Sequence, residues 1–225
     1  MRRVCIAACR TTRSRTSAPV SLLHRLPNVL IVSNDLPVAS VAELIAYAKA
    51  RPGVLTFASA GNGSVSHLAG ELFKAATGVD MQHIPYKGGG AAMPDVIAGR
   101  VPVMFETATS ALAAAKGGKV RALAVTSAER WPGVAELPTI AEAGVAGYRV
   151  DSWTGLLAPA GTARAIVDRL STELAAAAKA PAYRQHMQRL GVEAISSTPE
   201  EFRRFMQAEI EQWTRAVQQS GAKID

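Results

Sequence analysis

Leu55-Thr56-Phe57-Ala58-Ser59-Ala60-Gly61-Asn62-Gly63-Ser64, running on into Val65-Ser66-His67-Leu68-Ala69-Gly70-Glu71-Leu72-Phe73, is the stretch that decides the fold. Val54–Ala58 is an apolar run of strand length. Ser59–Ser64 is small, polar and rich in glycine, which reads as a loop. From Val65 the spacing becomes helical, with Val65, Leu68, Ala69, Leu72, Phe73 and Ala76 on the buried side. Ser64 reads as the N-cap of that helix, and Gly78 closes it where a left-handed residue is needed.

The same order recurs on both sides. Downstream come a strand at Met81–Pro85, the loop Tyr86-Lys87-Gly88-Gly89-Gly90 and a helix over Ala91–Ala98. A strand at Val101–Phe105, a helix near Thr109–Ala115 and a strand at Arg121–Val125 follow. Upstream, the β-type run Val29–Val32 precedes a turn at Asn34–Pro37. The capping box Ser40-x-x-Glu43 then opens a helix with Val41, Leu44, Ile45 and Ala48 inward. Strand, loop and helix at this interval predict parallel strands with helices on the sheet faces, so the fold class is α/β. Past Trp131 the pattern loosens into turns, with a short helix expected from the capping box Thr139-x-x-Glu142. After a strand at Ser152–Ala158 only helices are expected. One starts at Thr162 with Ile166, Val167, Leu170 and Leu174 inward, and another covers Ala182–Leu190. The last starts at Thr198-Pro199-Glu200-Glu201, with the stripe Phe202, Phe205, Met206, Ile210, Trp213 and Val217.

Composition narrows the function classes. With 225 residues, 48% of them hydrophobic and 19% charged, the chain can bury a substantial core and is not disordered in bulk. Apolar runs such as Val29–Val32 fall far short of the roughly 18–20 residues that span a bilayer. Of the net charge of +7, six units belong to Arg2, Arg3, Arg10, Arg13, Arg15 and Arg25 in an acid-free front segment. The body is therefore almost neutral, which argues against a nucleic-acid partner. Cys5 and Cys9 form neither a metal motif nor a disulfide framework. The run Val4–Cys9 is too short for the apolar region of an ordinary leader, so no export signal is expected from these residues.

Ligands of an open α/β sheet bind where the loops leave the strand ends. Ser59–Ser64 and Lys87–Gly90 both stand before a helix N-terminus, whose unpaired amides and partial positive charge suit a carboxylate. The other reading of these glycines is that they only make tight strand-to-helix turns. Enzyme motifs fail: Gly61-x-Gly63-x-x-Ser66 lacks the third glycine of the dinucleotide fingerprint, and Gly88-Gly89-Gly90 is not a P-loop. Ser64, Ser66 and His67 are near neighbours without the arrangement of a nucleophile and base. His24, His67, His83 and His186 lack ligand spacing, so neither a metal nor a cofactor is expected. His67 either faces the cleft or is a satisfied structural histidine. Glu106 is either a ligand contact or an exposed strand-end carboxylate. Trp131, Trp153 and Trp213 read as packing residues. A binder is favoured over an enzyme.

Several stretches together carry a resemblance. They are Pro27–Val32, Leu55–Ser64 with His67–Phe73, Ile84–Gly88, Asp95–Val101, Met104-Phe105, Gly118–Thr126, Leu137–Gly144, Ser152-Trp153-x-Gly155-Leu156, Ser197–Phe202 and Ser220–Lys223. In this order, over residues 18–225, the chain resembles the substrate-binding proteins of tripartite tricarboxylate transporters, the TctC or Bug family of extracytoplasmic solute receptors. The resemblance implies a periplasmic-binding-protein-like fold (type II, Venus-flytrap). One lobe would be complete, at residues 37–150. Residues 18–36 would be a remnant of the other lobe with the first crossover. Residues 151–225 would be the second crossover with the C-terminal helices of that other lobe, and 1–17 an arginine-rich tail without resemblance. It further implies no enzymatic activity, a periplasmic location and membrane permease subunits as partners. The ligand would be a small carboxylate: a di- or tricarboxylate, or a carboxylated aromatic or amino acid. Carried over, the site comprises Ser59, Ala60, Gly61, Asn62, Gly63, Ser64, His67, Tyr86, Lys87, Gly88, Glu106 and Thr107. The family commonly has Asp where this chain has Glu106.

Most of the family's first lobe has no counterpart here. The resulting expectations are weakened ligand binding, with a non-functional truncated or mis-started fragment as the alternative. Phe202, Phe205 and Trp213 are expected to be exposed or to drive self-association.

Overall fold

The run Val29-Leu30-Ile31-Val32 is buried on both sides, each residue at 0% exposure. That burial explains why it reads as continuously apolar rather than alternating. In the computed structural model, which describes residues 17–189 and 192–220 with side chains up to residue 214, the run is the end of a much longer strand, β1 (Ser17–Ser33). Ser21, His24 and Pro27 interrupt the apolar pattern and hide the strand's first part from a sequence reading. The arginine-rich start with Cys5 and Cys9 lies outside the described residues, as does the closing Gly221-Ala222-Lys223.

The next elements are α1 (Val41–Lys49), β2 (Thr56–Ser59), α2 (Val65–Thr77), β3 (Gln82–Pro85) and α3 (Gly89–Ile97). They are followed by β4 (Val103–Thr107), α4 (Ala108–Lys116), β5 (Val120–Val125) and β6 (Asp151–Pro159). Last come α5 (Arg164–Lys179), α6 (Pro181–Arg189), β7 (Glu193–Ala194) and α7 (Pro199–Ser220). The capping signals hold where the sequence places them. Ser40 Oγ accepts from the Glu43 amide at 3.1 Å, and Thr198 Oγ1 accepts from the Glu201 amide at 3.2 Å. Thr139 and Glu142 also exchange their capping-box bonds at 3.0 Å each, but the chain there makes only a turn and no helix follows. Gly144 and Gly147, both at positive φ, bend the backbone away within a few residues.

The chain divides into two units of contact. One contains β1 up to Leu26 together with Trp153–Arg215, the other Pro27–Ser152; β1 and β6 run through both. In the second unit the sheet order is β3-β2-β4-β1-β5. β2 is parallel to β3 and β4, as expected, but β1 is antiparallel to both β4 and β5. The expectation of parallel strands throughout is therefore corrected for β1. This strand enters between β4 and β5 from the other unit, so no crossover helix dictates its direction. Where it enters, Asn28 is buried and held from three sides. Its amide donates to Thr126 Oγ1 (2.8 Å), its side-chain nitrogen to the Phe105 carbonyl (3.1 Å), and its Oδ1 accepts from Ser152 Oγ (2.8 Å).

The first unit packs around α7. Phe202 and Trp213 are buried at 0% and 2% exposure, so the expectation that they lie exposed is wrong. Phe202 lies against Gly155, where an added Cβ would come within 2.1 Å of the ring. Trp153 meets both Phe202 and Phe205 edge-on, and Glu209 accepts from the indole nitrogens of Trp153 (2.8 Å) and Trp213 (3.1 Å). The exposed aliphatic side chains of this unit are instead Leu156 and Leu157 on β6 and Ile166 and Leu170 on α5. Of the four residues expected inward on α5, only Val167 is buried. The described strands here, β6 and β7, both pair with β1. α5 has little sheet to cover, so part of its apolar stripe stays in water.

Candidate carboxylate site

Parallel pairing of β2 with β3 and β4 sends three strand ends to the same edge of the sheet. Ser59–Ser64 follows β2, Tyr86–Gly88 follows β3, and Glu106-Thr107 ends β4. The first two loops touch. The Tyr86 amide donates to the Ser59 carbonyl at 3.0 Å, and a Cβ on Gly61 would lie 3.1 Å from the Tyr86 carbonyl oxygen. Gly61 also has φ 124°, a backbone that a larger residue rarely adopts. The twelve residues carried over by resemblance thus fall into one neighbourhood of one unit.

The geometry differs from a row of open loop amides. Ala60 N–H donates to Ser66 Oγ (2.9 Å), Gly61 N–H to Ser59 Oγ (3.1 Å), Gly63 N–H to His67 Nδ1 (3.0 Å) and Ser64 N–H to the Gly61 carbonyl (3.1 Å). Ser64 caps α2, its Oγ accepting from the His67 amide (3.3 Å) and donating to the Gly61 carbonyl (2.6 Å). The loop thereby satisfies most of its own donors. The amides of Asn62, Val65 and Ser66 lie outside this internal bonding among the described residues. Two of the three belong to the first turn of α2, which has no acidic side chain of its own. That combination is suited to an anion.

The second helix end is different. α3 starts after Gly88, which gives no side-chain cap. Glu106, 7% exposed, lays its carboxylate against the first helical residue: a Cβ on Gly89 would come within 2.2 Å of Oε2. Thr107, the cap position of α4, donates its hydroxyl to Glu106 Oε1 at 2.9 Å. A negative charge from the protein itself therefore already faces the α3 terminus. The exposed-carboxylate reading of Glu106 is set aside by this burial. Tyr86 donates its hydroxyl to Asp95 Oδ2 (2.6 Å) and is fixed against α3, while Lys87 is exposed and Gly88 buried.

His67 is buried at 5% exposure under the loop. His83, not singled out by sequence as a site residue, stacks on it with 3.8 Å between ring centroids, and its Nε2 lies 2.6 Å from Ser59 Oγ. Burial lowers both imidazoles below their ordinary value, His83 to about 4, where the neighbouring His67 and Lys74 add to the effect. Ser66 and His83 were missed because each acts across the loop, at six and twenty-four residues' separation. No local spacing rule covers contacts at those separations.

Residues 11–222 match the family model of the tripartite tricarboxylate transporter family receptor. The chain belongs to this family. A relative encoded in the tcbD-tcbE intergenic region of Pseudomonas sp. strain P51 is 39% identical over 204 residues, which cover 90% of this chain and 61% of that protein. The chain thus spans less than two thirds of that relative's length. Among solved structures, R. palustris Rpa4515 with adipate superposes with a TM-score of 0.86 at 39% identity, covering 92% of this chain and 70% of that one. The periplasmic binding protein BugD superposes at 0.84 with 32% identity, covering 97% and 76%. The α/β fold of the tricarboxylate-receptor family is therefore that of periplasmic binding proteins, and the family's role is that of a receptor.

Proposed function

We propose that the chain is a solute receptor of a tripartite tricarboxylate-type transporter. It holds one carboxylate of a small organic acid at the N-terminus of α2 and serves membrane permease subunits from the periplasm. The observation that carries this reading is the set of amides at Asn62, Val65 and Ser66, left over when the loop has satisfied the rest of its donors. Adipate in the similar Rpa4515 supports the ligand class. Because Glu106 already stands at the α3 end, α2 is the terminus that takes the ligand's charge.

Val65→Pro tests this directly. Val65 is the first helical residue, and Ser64 before it is extended at φ −70°, ψ 160°, so proline suits the position and removes the amide proton, while Val65→Ala accounts for the lost side chain. A hydrogen bond to a charged group contributes about 1.5–3 kcal/mol. Calorimetric titration with adipate and a panel of di- and tricarboxylates should yield a ligand whose affinity falls tenfold or more in Val65→Pro. Equal affinity of the two chains, or no response to any carboxylate, would overturn the reading.

A further inference from the structure

Gly61 and Gly63 shape the loop before α2, and side chains rather than backbone take up their amides. Behind both stands the imidazole pair. The rings of His67 and His83 lie 9° from parallel, and His83 rests in turn on Phe57 at 5.0 Å. We infer that His67 and His83 are positioning residues for the carboxylate loop: neutral His67 holds Gly63 through Nδ1, and His83 holds Gly61 through Ser59. The inference rests on the receptor reading for what the loop binds, and on geometry alone for how the loop is held.

An accepting Nδ1 requires a neutral ring with its proton on Nε2, the nitrogen that lies 4.0 Å from Glu71 Oε1. A proton on Nδ1 would oppose two donors and expel the Gly63 amide. The groups around the pair are Glu71 and Lys74 from α2, Ser59 and Phe57 from β2, and the two rings themselves. Glu71 favours a charged His67. Burial, Lys74 and the stacked ring oppose charge on one or both imidazoles. Two charged rings at 3.8 Å would repel strongly in this half-buried setting. Neutral pH therefore keeps the loop in place, and acid releases it.

The ligand-free chain allows a test without knowing the solute. Side-chain and amide ¹⁵N spectra from pH 7.5 to 4.5 should show His67 as the Nε2–H tautomer, with the Gly63 amide following the His67 titration midpoint. An Nδ1–H tautomer, or a Gly63 signal indifferent to His67, would overturn the inference. With adipate as probe, His67→Leu should lose tenfold or more in affinity. His67→Asn should restore most of that loss, because Asn Oδ1 stands where Nδ1 stood, and should reduce the acid sensitivity to the part owed to His83. An Asn variant no better than Leu would also overturn the inference. If the unaltered chain ignores adipate and other carboxylates while Gly63 still follows His67, the latch stands and the receptor reading falls.

Discussion

Phe57 lies across Gly70 in one unit of the molecule as Phe202 lies across Gly155 in the other, yet the two units are finished to different degrees. An added Cβ would meet the phenyl ring at 2.2 Å and 2.1 Å respectively, so both rings seat on backbone. Around Phe57 the unit Pro27–Ser152 buries the central strands of its sheet on both faces, and Val54 is its one exposed large aliphatic among the described residues. Around Phe202 the buried hydrophobics are Val20, Leu22, Val167, Met187 and Trp213, while Leu156, Leu157, Ile166 and Leu170 remain exposed. A helix stripe is buried only where a sheet face meets it. The better-packed unit carries the candidate site, whose loops need rigid strand ends.

This contrast can be broken by mutation, because the tryptophans divide between the units: Trp131 reports on one, Trp153 and Trp213 on the other. Phe57→Ala and Phe202→Ala should each cost about 3–5 kcal/mol. Each should move the denaturation midpoint of its own tryptophans, measured in single-tryptophan variants. A common shift of all three signals would mean one cooperative body. Gly70→Ala and Gly155→Ala should cost about 1–3 kcal/mol each through overpacking, again within one unit. If Gly155→Ala is the cheaper, the looser unit relaxes around the methyl group.

Acid should separate the units further. His67 and His83 bind protons less readily folded than unfolded, His83 titrating at about 4 against an ordinary 6.5. The unfolded chain therefore binds more protons below pH 6.5, and stability rises with pH across that window. The stabilisation is complete above about pH 6.5 and fades as pH falls toward 4. The other unit has His24 shifted in the same direction, one group against two. Urea midpoints followed at Trp131 should fall more steeply from pH 7 to 5 than those at Trp153 and Trp213, and His83→Gln should flatten the difference. At the small end, Arg169→Ala should change stability by less than about 0.5 kcal/mol, because its pair with Glu173 is 79% and 61% exposed. A larger loss would mean that surface charge, not buried packing, sustains the first unit.

Local signals made much of this molecule legible. Ser40, Ser64 and Thr198 cap the helices they were assigned to, and Gly78 closes α2 at φ 70°. The alternation of strand and helix placed Ser59–Ser64, Tyr86–Gly88 and Glu106-Thr107 at strand ends, and the sheet gathers them on one edge. Two things were out of reach. The direction of β1 depends on a strand arriving from another unit, and Thr139–Glu142 has every helix-starting bond yet no helix, because glycines end it at once.

Residue spacing by itself determined the α/β class, several helix caps and the position of two candidate loops at strand ends, because capping, periodicity and turn chemistry act within a few residues. Only the tertiary structure decided which amides remain for a ligand, that Glu106 stands at the α3 terminus, and that His67 and His83 support the loop together. Those outcomes depend on hydrogen bonds and ring contacts between β2, β3, β4 and α2, and such contacts exist only once the sheet has brought distant residues together.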